Sequence, residues 1–279
     1  MKPPATPDIL STRKQTIARH FATASDYDQH AHIQAQICQH LLALIARTKQ
    51  DSVFEIGAGT GQMTRLLSEN VQSQHWFINE LCSERAAILQ SIVPTANIII
   101  GDAETIELSK VSNSINLSLI EHSLIVSANA VQWFDNPLNF IKQSAQCLRA
   151  GGQLVFNTFT PDNFLQIKQL TGQGLHYSAI SDWQSALEVA GFENIKLSTQ
   201  RFDVPFANPY AVLKHMKLTG VSTNRTQDQS SSGQPFIWTK SRLKQFEQDY
   251  WQQFSELNKD GQPYVNLTYD VLMISAFKA

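Results

Sequence analysis

The chain has 279 residues, 42% of them hydrophobic and 16% charged, with a formal net charge of −2. That length suits one large α/β domain, or one domain with a lid. The slight acidity, with no dense basic stripe, argues against nucleic acid as partner. No stretch approaches the length of a membrane span and Met1–Pro7 lacks an apolar leader core, so no membrane segment and a cytoplasmic location are expected.

Thr12 to Tyr27 and Ala31 to Arg47 read as helices, the second with Ile33, Ile37, Leu41, Leu44 and Ile45 on one face. Cys38, Cys82 and Cys147 are far apart and form no CxxC pair, so buried thiols in a reducing compartment are expected, and no metal. Val53 to Ile56 is an apolar run carrying Glu55, followed by Gly57, Gly59 and Gly61 and a helical pattern from Gln62 to Asn70. Strand, tight turn and helix start follow from that order, because backbone without Cβ turns sharply and admits a ligand against it. The dinucleotide fingerprint is Gly-x-Gly-x-x-Gly; here Gln62 stands where its last glycine would be. By itself the stretch leaves open a structural glycine turn or a nucleotide site of another kind.

Trp76 to Leu81 reads as a second strand ending in Glu80. That acid follows the glycines by about 20 residues, the spacing of a ribose-binding carboxylate. Ile98 to Ile100 is a third strand, ending Gly101-Asp102-Ala103-Glu104. Leu124 onward is a fourth, with a polar and aromatic end at Asn129, Gln132 and Trp133. Leu148 to Phe156 gives a helix end, a turn at Gly151-Gly152 and a fifth strand. Ser181 to Gln184 reads as an N-capped helix start and Ala190-Gly191 as its end. Asn194 to Phe202 is a sixth strand. The alternation then breaks at Pro205 and Pro209, with a helix from Tyr210 to Leu218, a polar loop from Thr223 to Gln234 and a helix from about Thr239 to Leu257. Tyr269 to Lys278 closes the chain as an edge strand. Five pieces at successive strand ends put a crevice on one edge of a parallel sheet.

Glu55 through Gly61 resembles motif I of the class I S-adenosylmethionine-dependent methyltransferases. The resemblance implies a Rossmann-like α/β fold: a mainly parallel seven-stranded sheet with an antiparallel last strand, helices on both faces, N-terminal helices and a helical lid insertion. It implies S-adenosylmethionine as cofactor. It implies cofactor contacts from Tyr27, Glu55, Gly57, Ala58, Gly59, Gly61, Glu80, Leu81, Asp102, Ala103 and Asn129, with Glu80 on the ribose and Asp102 on the adenine amino group. The expected division is an N-terminal cap over 1–50, a cofactor core over 51–204, a lid over 205–250, and a closing helix end and strand over 251–279.

Further stretches resemble the malonyl-[acyl-carrier-protein] O-methyltransferase family of biotin biosynthesis. They are Phe21 to Asp28, Gly101 to Glu104, Ser127 to Trp133, Phe156 to Phe159, Leu213 to Val221 and Leu267 to Leu272. Two departures are the Asn79-Glu80 strand end, where the wider superfamily more often has Asp, and a more polar lid helix end at Met216 to Gly220. The resemblance implies methyl transfer to the free carboxylate of a malonyl thioester on acyl-carrier protein, or on coenzyme A. It places Tyr27, Asn129 and Trp133 around the reacting groups and Gln132 beside the acceptor. A carboxylate is already ionised at neutral pH, which fits eight histidines scattered without a base constellation.

Charge is uneven. Asp51 to Asp135 holds ten acids and three bases, whereas Ala211 to Lys244 holds six bases (Lys214, Lys217, Arg225, Lys240, Arg242 and Lys244) against Asp228. A basic lid suits an acidic carrier, and Lys214, Lys217 and Arg242 are its expected contacts; a solvated helix face is the plain alternative. The protein is expected to be a monomer. Rival readings are a methyltransferase for another small carboxylic acid or a quinone, and a non-catalytic S-adenosylmethionine-binding protein. A dehydrogenase is disfavoured by the glycine spacing.

Overall fold

The computed structural model describes residues 14, 15, 18, 31–106, 121–219 and 238–279. Tyr27, the stretch 21–28, Gly220-Val221 and the polar loop from Thr223 to Gln234 lie outside the described residues; of the first expected helix only Lys14, Gln15 and Ala18 are described, all helical.

The elements follow in chain order. Helix α1 (His32–Ala43) precedes β1 (Lys49–Ile56), α2 (Gln62–Asn70), β2 (Gln72–Glu80), α3 (Ala86–Ile92) and β3 (Asn97–Ile100). Then come β4 (His122–Ser127), α4 (Asn139–Cys147), β5 (Leu148–Phe159), α5 (Leu165–Thr171), α6 (Ile180–Val189) and β6 (Phe192–Phe206). The chain closes with α7 (Pro209–Leu218), α8 (Lys240–Phe254), β7 (Ser255–Leu257) and β8 (Pro263–Lys278). One sheet holds the strands in the order β3-β2-β1-β4-β5-β8-β6, with β7 pairing β8. Neighbours from β3 to β5 pair parallel, while β8 pairs antiparallel with both β5 and β6.

Alternate strand residues feed two cores, one on each face of the sheet. Val53, Val155, Val271 and Met273 join a cluster completed by Ile37 and Leu41 of α1, Leu67 of α2 and Tyr250 of α8. Phe54, Leu154, Phe156, Leu272 and Ile274 join the other, completed by Phe140 of α4 and by Trp183 and Leu187 of α6. Helices on both faces are what nearly continuous apolar strands require.

Several expected boundaries move, each for a physical reason. β8 is not an edge strand: it inserts between β5 and β6, and Val271, Leu272, Ile274 and Ala276 are fully buried. The edge is β6, mostly exposed along its length, and it runs on through Pro205, opposite Asn266. An edge strand tolerates proline because that residue needs to donate to only one neighbour or none. The expected 204/205 boundary therefore falls inside a strand. Helix α8 stops at Phe254, and Ser255 to Leu257 turns into β7 against Val265 to Pro263. Helix α6 begins at Ile180 after Ala179, whose N–H donates to Asp182 Oδ2 at 3.1 Å, so Ser181 is inside the first turn rather than capping it. Gly151-Gly152 lies within β5, at a shift of register against β4, instead of forming a separate turn. Helix α1 ends at Ala43, leaving Leu44 and Ile45 packed against the core from the following loop.

Candidate functional site

The carboxyl ends of β1, β2, β3 and β4 converge. Past β1, Gly57, Gly59 and Gly61 all have positive φ, at 71°, 58° and 84°. The N–H groups of Gly57 and Ala58 donate to Asn79 O at 3.0 and 3.1 Å, so the turn hangs from the end of β2. A Cβ on Gly57 would stand 2.4 Å from Ala130 Cβ, so only glycine lets this turn meet the one after β4. Among the described residues, a Cβ on Gly59 would meet no atom beyond its chain neighbours within 4 Å, and Gly59 faces a cleft. The missing side chain there leaves backbone bare to a ligand.

Glu80 and Asp102 hold the next two strand ends. Glu80 accepts from Gly59 N–H at 2.7 Å on Oε2 and from Cys82 N–H at 2.9 Å on Oε1. Each carboxylate oxygen keeps a second acceptor direction. Asn79 donates to Ile99 O and Gly101 O at 3.2 and 3.0 Å, tying β3 to β2. Asp102 accepts from Glu104 N–H at 3.0 Å on Oδ1, and from Lys14 Nζ on Oδ2. After β4, Asn129 sits at φ 55°, a left-handed conformation that asparagine tolerates better than most residues. Asn157 of β5, wholly buried, holds it there: Oδ1 accepts from Asn129 N–H at 2.8 Å and Nδ2 donates to Asn129 Oδ1 at 3.3 Å.

These ends line a cleft that is partly open to solvent. Of the expected residues, Gly57, Ala58, Gly59, Glu80, Leu81, Asp102, Ala103, Asn129 and Trp133 line it. Glu55, Gly61 and Gln132 are not in its wall. Glu55 is 1% exposed, and its Oε2 finds no hydrogen-bond partner among the described residues. Burial lifts its carboxyl to about 8; the Thr64 hydroxyl opposes the rise and the Glu80 charge adds to it. Gly61 precedes α2 and packs against Ile92. Gln132 donates to Asn129 O at 2.7 Å. Lys214 and Lys217 on α7 and Arg242 on α8 are exposed and stand apart from the cleft. No histidine among the described residues lines it. His122 lies at the start of β4, against Phe54 and Phe77, with its pKa lowered to about 4 by burial.

The cleft also contains residues that the sequence did not suggest: Lys14, Cys38, Asn79, Cys82, Arg85 and Phe134. Asn79, Cys82 and Phe134 sit close to predicted residues and follow from them. Lys14 and Cys38 carry no motif, since only the tertiary fold brings them here.

A glycine turn bare toward a cleft, acids after β2 and β3 and a polar end of β4, set on this strand order, define a class I S-adenosylmethionine-dependent methyltransferase. Residues 29–197 match a family model described as a methyltransferase domain. Among solved structures, a putative methyltransferase from Bacillus halodurans superposes with a TM-score of 0.54 at 16% identity, covering 87% of this chain and 99% of that one. The N-methyltransferase NodS from Bradyrhizobium japonicum, in complex with S-adenosyl-L-homocysteine, gives 0.52 at 12% identity, covering 96% and 99%; at such identities the likeness is one of fold. In sequence, the chain is 36% identical over 275 residues to the malonyl-[acyl-carrier protein] O-methyltransferase of Acinetobacter baylyi, covering 96% of this chain and 98% of that protein. The one from Haemophilus influenzae is 32% identical, covering 96% of both. The chain belongs to the malonyl-[acyl-carrier protein] O-methyltransferase family. Its cofactor is S-adenosylmethionine, and the bare turn at Gly59 with two carboxylates in one cleft suits a ligand that carries a diol, an amino group and net positive charge.

Proposed function

We propose that this chain methylates the free carboxylate of a malonyl thioester on acyl-carrier protein, making the methyl ester that primes pimeloyl synthesis for biotin. The observation that carries this reading is similarity along 96% of the chain to relatives named for malonyl-carrier methylation. The cleft chemistry supports it. Backbone of Gly57, Ala58 and Gly59 forms the floor for the cofactor. Glu80 receives the ribose hydroxyls, Asp102 and Ala103 receive the adenine edge, and Leu81 covers the ring. Asn129 faces the methionine end, with Trp133 and Gln132 bordering the acceptor. Tyr27 closes over the cofactor from the N-terminal side. Glu55 lies buried outside the cleft wall. The basic residues Lys214, Lys217 and Arg242 receive the carrier protein. Three buried free thiols suit a reducing compartment such as the cytoplasm.

The bound cofactor supplies a methyl group on a positive sulfonium. The residues then have a simple task, because a carboxylate with an ordinary pKa of about 4 arrives already ionised and needs no general base. Holding the carboxylate in line with the methyl is worth on the order of 7–11 kcal/mol of barrier. Excluding water favours the pairing and cancellation of the two charges, a role for Trp133 and for the helices at the carboxyl edge. The test compares malonyl-carrier protein with acetyl-carrier protein, which has the same thioester and no free carboxylate. A base-labile methyl ester on the first and none on the second is expected. Equal transfer to both, or transfer only to free acids or quinones, would sink the reading.

A further inference from the structure

Lys14 is 4% exposed and lines the cleft. Its ammonium donates to Asp102 Oδ2 and to Glu104 Oε2, and lies 4.0 Å from Asp135 Oδ2. The Phe134 ring lies beside it, 5.8 Å from Nζ to centroid. A buried charge persists only when paired, and the pairing here is asymmetric. Glu104 is a fixed anion: its two oxygens accept from the Asp135 and Asn136 N–H groups, both at 2.7 Å. Asp102 is the carboxylate assigned above to the adenine amino group. Without an ammonium between them, two carboxylates in a concave, poorly solvated wall repel, and Asp102 keeps only the Glu104 N–H to hold it against that repulsion. Four residues on, Ala18 O accepts from Cys82 Sγ at 3.4 Å. Lys14 and Ala18 are both helical, and they meet residues of the cleft wall after β3 and after β2.

We propose that Lys14 is a positioning residue for the adenine end of the cofactor. It holds the Asp102 carboxylate in the orientation that receives the 6-amino group. A carboxylate oxygen accepts along two directions, so ammonium and amino group share Asp102 and do not compete for it. The inference rests on the reading of Asp102 given under Proposed function.

Calorimetry with two ligands separates the two ideas. S-Adenosylhomocysteine carries the 6-amino group; S-inosylhomocysteine has a 6-oxo group in its place. The wild type should prefer the first by roughly tenfold or more, the scale of a hydrogen bond to a charged group. Lys14→Met keeps the stem and removes the charge. It should lose most of that preference by binding S-adenosylhomocysteine roughly tenfold more weakly, with S-inosylhomocysteine little changed. Lys14→Arg should retain the preference. Lys14→Met binding the adenosyl ligand as tightly as wild type, or weakening both ligands alike as a purely structural role would, overturns the inference. A wild type with no preference overturns the reading of Asp102, and the inference with it.

Discussion

Glu55 stands at the junction of fold and cofactor turn. The spacing of acid and glycines suggests a cofactor contact, yet the side chain is buried outside the cleft wall. What the spacing could not convey is depth: Glu55 is buried, 1% exposed, on β1. Its carboxyl is raised from 4.5 to about 8 by that burial. The folded state thus holds a proton that the unfolded state has lost between those two values. Stability falls as pH rises through that window, and the loss is complete once pH has passed the folded value. Glu55→Gln keeps the shape without the proton. Relative to wild type it should gain on the order of 4 kcal/mol on going from pH 5 to pH 8.5. Urea unfolding at both values checks this, and an equal difference at both would contradict it.

Among elements, β6 and β8 carry the lesson. The run Val271 to Phe277 is nearly all apolar, the pattern of a strand covered on both faces, and β8 lies inside the sheet. Its terminal position in the chain suggested an edge, but burial pattern outranks position. β6 scatters Glu193, Lys196, Arg201 and Asp203 along an exposed strand, the mark of the true edge. Leu272→Ala, at a fully buried central site, should cost about 2–5 kcal/mol. Pro205→Ala, on the edge, should cost less than about 1 kcal/mol. Chemical denaturation of the two variants measures the contrast; similar costs would mean that the strand order is wrong. The helix and strand types were readable from periodicity and turn residues. The ends were not, because Ser255 to Leu257 pairs only with a partner that folds back from Val265.

Across the molecule, the cleft was legible because its parts sit at strand ends in sequence order. Lys14 was not, because it reaches Asp102 and Glu104 from the far N-terminal side of the chain. The exposed basic positions Lys214, Lys217 and Arg242 lie on α7 and α8, apart from the cleft wall, where the acids Glu80 and Asp102 are balanced by Lys14 and Arg85. Such separation steers an anionic partner to one side. Replacing Lys214, Lys217 and Arg242 together by alanine should raise the KM for malonyl-carrier protein by roughly tenfold and steepen nothing for malonyl-coenzyme A. An unchanged KM for the carrier-linked substrate would remove these residues from the interface.

The most direct measurement follows a methyl label. The protein is incubated with methyl-labelled S-adenosylmethionine and malonyl-carrier protein, and the malonyl group is examined by tandem mass spectrometry. One labelled methyl on the terminal carboxylate is expected, removed by mild base, with one S-adenosylhomocysteine formed for each. Cofactor binding with no label on the malonyl group, whether on carrier protein or on coenzyme A, would contradict it.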